Sequence, residues 1–139
     1  MPDEELWSSF FSPAEMLAKL GLTAQASDVV EFGCGYGTFT IAAAQINSGR
    51  VYALDIDPEM IAATGEKARD LPNVAPLLRD FVAHGTGLAD ESADYTMLFN
   101  LLHCERPETL LREAWRVLRP GGFTCRHALE IRSYHAAWP

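Results

Sequence analysis

The chain has 139 residues, which suits one domain and not two. It is 48% hydrophobic and 22% charged, and no apolar run approaches the roughly 18 residues of a membrane span. Its acidic start, M-P-D-E-E, lacks the basic region and apolar core of a secretory signal, so cytoplasmic residence away from the membrane is expected. A net charge of −8 with scattered Lys and Arg argues against nucleic acid as a partner, and three cysteines without a C-x-x-C pair argue against a metal site or a disulfide framework.

The first element begins at Ser12-Pro13-Ala14-Glu15, a capping box with Pro13 at the first helical position. Met16, Leu17 and Leu20 supply its apolar face, and Gly21 ends it. Ahead of it, Leu6, Trp7, Phe10 and Phe11 suggest packing on the body or cover over a pocket, so residues 1–26 are expected to form a helical lid. Val29 to Phe32 reads as a strand ending at Gly33, and Thr38 to Gln45 as a helix. Val51 to Leu54 is a second strand, followed by a helix that starts at Asp57-Pro58 and runs to about Arg69. Val74 to Leu78 is a third strand and Asp94 to Phe99 a fourth. Pro107 to Leu118 is a helix with Leu110, Leu111, Ala114, Val117 and Leu118 on one side. Arg119-Pro120-Gly121-Gly122 ends it, and Phe123 opens a fifth strand. Strands alternating with helices imply right-handed crossovers and a parallel sheet, an α/β fold. Ligands then bind at the carboxyl ends of the strands, so the chemistry is expected just after strands one, two and four.

Glu31-Phe32-Gly33-Cys34-Gly35-Tyr36-Gly37 joins the first strand to the first of these crossover helices. Alternate glycines permit positive φ and let a ligand approach the backbone at a helix N-terminus. Asp55, 22 residues past Gly33, ends the second strand, where a carboxylate can accept both hydroxyls of a ribose. Asp57 is the better helix cap, which leaves Asp55 for a ligand. Both features suit NAD as well, but a dinucleotide loop reads G-x-G-x-x-G, and here the third glycine comes one residue early. Glu31 would repel a pyrophosphate, yet it suits an ammonium. S-adenosylmethionine carries such an ammonium and no phosphate.

V-V-E-F-G-C-G-Y-G-T-F-T resembles the first motif of class I S-adenosylmethionine-dependent methyltransferases, and V-Y-A-L-D-I-D-P-E-M resembles the next. L-L-R-D-F is similar to the family's adenine-contacting segment, D-Y-T-M-L-F-N-L-L-H to its fourth-strand motif, and L-L-R-E-A-W-R-V-L-R-P-G-G to the helix before strand five. The likeness covers residues 27–123 and is strongest to the subgroup with small-molecule acceptors, which includes the ubiquinone and menaquinone biosynthesis enzymes. It implies a Rossmann-like parallel sheet with flanking helices, and S-adenosyl-L-methionine as cofactor. It also implies a cofactor site built from Glu31, Gly33, Cys34, Gly35, Gly37, Asp55, Ile56, Asp80, Phe81 and Asn100, with Asp80 for the exocyclic amine and Phe81 for the adenine ring. Asn100 and His103 follow strand four. Asn100 would hold the methionine end or the acceptor; His103 is the candidate base, or else a structural histidine beside the next helix. The expected partner is a small-molecule methyl acceptor. A domain that binds the cofactor without turnover is the alternative.

The pattern breaks at the C-terminal end. The family fold has seven strands, and the fold expected here is truncated after strand five, with the last two strands missing. A buried strand should read as an apolar run, whereas F-T-C-R-H-A-L-E-I places Arg126 and His127 in its middle. Residues 124–139 are therefore an atypical tail. A one-nucleotide frameshift from Thr124 would restore an apolar strand; the other account is a short variant with residues 126–139 as a helix or an edge strand. An uncovered strand five predicts marginal stability, or a homodimer through that edge.

Overall fold

The computed structural model describes residues 12–99 and 106–123. The elements are α1 (Pro13–Lys19), β1 (Val29–Phe32), α2 (Thr38–Ile46), β2 (Val51–Asp55), α3 (Pro58–Lys67), β3 (Val74–Leu78), α4 (Phe81–His84), β4 (Ala93–Met97), α5 (Pro107–Val117) and β5 (Leu118–Phe123). Local chemistry sets the helix starts. Ser12 Oγ accepts the Glu15 N–H at 3.5 Å ahead of Pro13. Asp57 Oδ1 accepts the Glu59 N–H at 2.9 Å ahead of Pro58. Gly21, at φ 88°, follows the C-cap of α1, where a left-handed residue ends a helix without Cβ strain.

The five strands form one sheet in the order β3-β2-β1-β4-β5, and every pairing is parallel. β1 lies at the centre, with Val29 opposite Val51 on one side and Tyr95 on the other, and all its residues are buried. The chain leaves β1 towards β2 and later returns to its other side as β4. That reversal puts the switch point at the carboxyl end of β1.

Each face of the sheet carries a core. Leu17, Leu22, Val29, Phe39, Ala43 and Met97 pack together beneath α1 and α2. The run Ala42–Ala44 is small enough to bring α2 close to the strands. Tyr95, fully buried, donates its hydroxyl to the Leu20 carbonyl at 2.8 Å, pairing an acceptor that the end of α1 leaves open. On the other face Val30, Phe32, Leu54, Phe81, Leu110 and Val117 pack beneath α4 and α5.

β4 spans Ala93–Met97 where 94–99 was expected, and other ends shift by one or two residues, but the larger departures are β5 and α4. β5 begins at Leu118, not at Phe123. Leu118 lies opposite Ala93 and Phe123 opposite Tyr95, so the extra residues between them form an irregularity that passes Arg119-Pro120-Gly121-Gly122 along the sheet. A strand at a sheet margin tolerates proline and glycine there, and a breaker motif in sequence does not end it. The short helix α4 was not anticipated, because four residues carry no readable period.

Thr96 is fully buried on β4, and its hydroxyl has no hydrogen-bond partner among the described residues. An unpaired buried hydroxyl costs about 1–3 kcal/mol. Thr96→Val keeps the shape and removes that cost, so it is expected to raise stability by about 1 kcal/mol. A lower urea midpoint for the variant would show that the hydroxyl is bonded in solution.

Candidate functional site

The carboxyl ends of β1, β2 and β3 bring most of the expected residues together. After β1 the chain turns through Gly33, Gly35 and Gly37 at φ 73°, 55° and 84°. The Cys34 N–H donates to the Leu54 carbonyl at 2.8 Å, and the Gly37 N–H to the Cys34 carbonyl at 3.0 Å. The first bond ties the loop to the end of β2; the second closes it into a tight turn that opens α2.

Asp55 is half-buried at the end of β2 and organises two stretches of backbone. Its Oδ2 accepts the Gly35 N–H at 2.9 Å, and its Oδ1 accepts the Asp57 N–H at 3.0 Å. Each carboxylate oxygen has capacity for a further donor. Beside it Ile56 is exposed, as are Leu78 at the end of β3 and Val82 on α4. Large apolar side chains left in water at the carboxyl ends of two adjacent strands suit the flat face of a base.

Glu31 is 2% exposed within the central strand, on the α2 side of the sheet. The Thr40 hydroxyl of α2 donates to its Oε1. Burial pushes its carboxyl up to about 8, against the pull of the Thr40 bond, and the nearby Asp55 carboxylate adds to the rise. A buried acid in this condition favours a cationic ligand.

Three further expected residues are engaged within the protein. Cys34 is buried, with its thiol turned to Thr64 Oγ1 at 3.4 Å. Burial, with Glu31 adding, pushes it up to about 12, so it stays neutral and offers a ligand only its main chain. The Phe81 ring is 6% exposed and meets Phe32 edge-on at 5.4 Å, within the core. Asp80 caps α4, its Oδ1 accepting the Ala83 N–H at 3.0 Å. Asn100 and His103 lie outside the described residues, as do Trp7, Phe10, Phe11, Cys104 and the tail from 124 onward.

The segment after Asp80 is clamped from both sides. Arg79 donates to the carbonyls of Gly85 and His84, each at 2.9 Å. Glu113 Oε1 on α5 accepts both the N–H and the hydroxyl of Thr86 at 2.8 Å, and Arg116 bonds Glu113, Asp90 and the Leu88 carbonyl. The Arg116 bonds hold the Glu113 carboxyl down to about 2. Thr40, Thr64 and Glu113 were not singled out in the sequence. Their shared signal is a polar residue on the core-facing side of a helix.

A family model described as a methyltransferase domain matches residues 30–125. A crystal structure of an S-adenosylmethionine-dependent methyltransferase from Aquifex aeolicus superposes with a TM-score of 0.74 at 27% identity, covering 85% of this chain and 64% of that one. The chain belongs to the class I S-adenosylmethionine-dependent methyltransferases. It is 41% identical over 99 residues to a ribosomal protein L11 methyltransferase of Methylococcus capsulatus, covering 70% of this chain and 32% of that protein. It is 37% identical over 98 residues to a ubiquinone/menaquinone biosynthesis C-methyltransferase of Bartonella henselae, covering 67% of this chain and 37% of that protein. The chain thus spans about a third of the length of these curated relatives. The cofactor of this family is S-adenosylmethionine, and the groups at the switch point fit it. A buried acid suits an ammonium, a carboxylate with spare acceptor capacity suits a ribose, and exposed apolar side chains suit a base. Among the described residues no helix is long and apolar enough to cross a membrane.

Proposed function

We propose that this methyltransferase transfers a methyl group to a small-molecule acceptor, with the cofactor held at the carboxyl ends of β1, β2 and β3. The observation that carries the cofactor site is buried Glu31 near an Asp55 already bonded to the glycine loop, and the small-molecule acceptor rests on the similarity to the ubiquinone/menaquinone biosynthesis C-methyltransferase. Glu31 would take the ammonium, the backbone from Gly33 to Gly37 the methionine portion, and Asp55 the ribose hydroxyls. Ile56 would lie against the base, with Asp80 and the first-turn backbone of α4 at Phe81 receiving its polar edge. Asn100 is assigned to the methionine end or the acceptor, and His103 to removing a proton from the acceptor where one must leave. When bound, S-adenosylmethionine supplies a methyl group on a sulfonium, a leaving group that needs no protonation. The protein's part is alignment, and holding two reactants in attack geometry lowers a barrier by about 7–11 kcal/mol.

Calorimetric titration of the purified chain with S-adenosylhomocysteine tests the site, with NAD as control. Asp55→Ala is expected to abolish binding, because it removes the ribose acceptor and both backbone anchors together. Unchanged binding in Asp55→Ala would remove Asp55 from the site. Saturation at 100 times Kd should add about 2.7 kcal/mol of stability to the parent chain, read from a melt. A second reading, a protein acceptor, is favoured by the 41% identity to the L11 methyltransferase. Turnover on a panel that includes small acceptors and ribosomal protein L11 separates the two. Binding without turnover on any of them would favour a cofactor-binding domain that does not turn over.

A further inference from the structure

We propose that Thr64 is a positioning residue for the cofactor site: its buried hydroxyl locks the glycine loop in the shape that receives the cofactor. This rests on the assignment of that loop and Asp55 to cofactor binding. Thr64 lies on α3, one layer behind the loop, and is fully buried. Its Oγ1 donates to the Gly35 carbonyl at 3.0 Å. The N–H of the same glycine is held by Asp55 at 2.9 Å. Both polar groups of Gly35 are therefore fixed by one β2–α3 unit, the N–H by its strand end and the carbonyl by its helix. A glycine at φ 55° has the widest conformational choice of any residue, and these two bonds remove it.

The rest of the Thr64 side chain confines the loop sterically. A Cβ built on Gly37 would stand 3.0 Å from Thr64 Oγ1 and 3.1 Å from its Cγ2, so the threonine fills the space behind that glycine. Cys34 Sγ, at 3.4 Å from the hydroxyl, completes the contact. Three residues of the loop, Cys34, Gly35 and Gly37, thus meet a single side chain. Without the hydroxyl, the Gly35 carbonyl keeps only the weak thiol of Cys34, at 3.8 Å, as a side-chain donor among the described residues, and the peptide that follows is released to turn. Only part of the population then presents the binding shape, and the apparent Kd rises by the inverse of that fraction.

The experiment measures S-adenosylhomocysteine affinity by calorimetry for the parent chain, Thr64→Val, Thr64→Ser and Asp55→Ala, with a thermal melt of each. Valine keeps the shape and removes the donor; serine keeps the donor. Thr64→Val is expected to melt as a folded protein yet bind about tenfold more weakly, while Thr64→Ser stays within about threefold of the parent. If Thr64→Val fails to fold, Thr64→Ala takes its place with the same expected loss. Parent-like binding by Thr64→Val, with Asp55→Ala silent, overturns the positioning role and leaves the cofactor assignment standing. Equal weakening in Thr64→Ser and Thr64→Val also overturns it, because packing and not the hydroxyl would then be responsible. Parent-like binding by Asp55→Ala, or no binding by the parent chain, overturns the cofactor assignment and this proposal with it.

Discussion

Between pH 6 and 7.5, S-adenosylhomocysteine is expected to bind more tightly as the pH rises, by a factor approaching tenfold per pH unit, with the release of close to one proton per cofactor bound. The proton comes from Glu31. Its carboxyl sits near 8 in the folded chain because burial penalises the charged form, so around neutrality the empty site holds it mostly as the neutral acid. A bound ammonium stabilises the carboxylate instead, and the proton leaves. Calorimetry in buffers of different ionisation enthalpy counts that proton directly. In Glu31→Gln the count should fall to about zero and the pH dependence should flatten. Buffer-independent heats in the parent chain would rule out a protonated Glu31.

The same group makes stability depend on pH. The folded value, about 8, lies above the ordinary 4.5, so the folded state binds the proton more tightly than the unfolded state does. Stability is then greatest, as far as Glu31 is concerned, below about pH 4.5, and it declines as pH rises from 4.5 through 8. The full change is on the order of 4–5 kcal/mol. Glu31→Gln should therefore be more stable than the parent at pH 9 and gain little at pH 5, as read by urea denaturation at each pH.

The fold was legible where a local rule and the burial pattern agree. β1 and β3 were bounded correctly because each is a short apolar run between polar or glycine stops. α1 and α3 announced themselves through Ser12-Pro13 and Asp57-Pro58, where the cap is a neighbour in sequence. β5 was misplaced because its start is decided by pairing with Ala93, a residue 25 positions away, and not by its own Arg-Pro-Gly-Gly. In the candidate site, Glu31 and Asp55 were proposed from charge and spacing alone, and their bonds to Thr40 and Gly35 were not foreseen. The edge-on contact of Phe81 with Phe32 could not be read, because the two rings stand 49 positions apart in the chain. Thr40 and Thr64 went unseen because their importance lies in what they face across the chain. Each interrupts an otherwise apolar core-facing helix surface, and each bonds the very loop or acid that the motif supplies.

Gly37→Ala is expected to destabilise the chain by about 2–5 kcal/mol and to abolish cofactor binding. Two separable effects act at this position. At φ 84° an L-residue suffers the left-handed penalty of about 1–2 kcal/mol. The added Cβ would also stand 3.0 Å from Thr64 Oγ1 and 3.3 Å from the Thr64 Cα, and forcing an atom into such a site costs about 1–3 kcal/mol. Gly37 is the N-cap of α2 with no side-chain bond to contribute, so what the position demands is the absence of a side chain. A double-mutant cycle separates the effects. In a Thr64→Ala background the hydroxyl and methyl that the new Cβ would strike are gone, while the backbone angle is unchanged. Gly37→Ala should then cost about 1–2 kcal/mol less than it does alone, a coupling of the size expected for residues in contact. Strict additivity would mean that the whole cost is conformational and that Thr64 does not crowd the glycine. A Gly37→Ala chain as stable as the parent would mean that the loop is not left-handed there, and the third glycine, whose early position set this chain apart from dinucleotide-binding loops, would lose its physical reason.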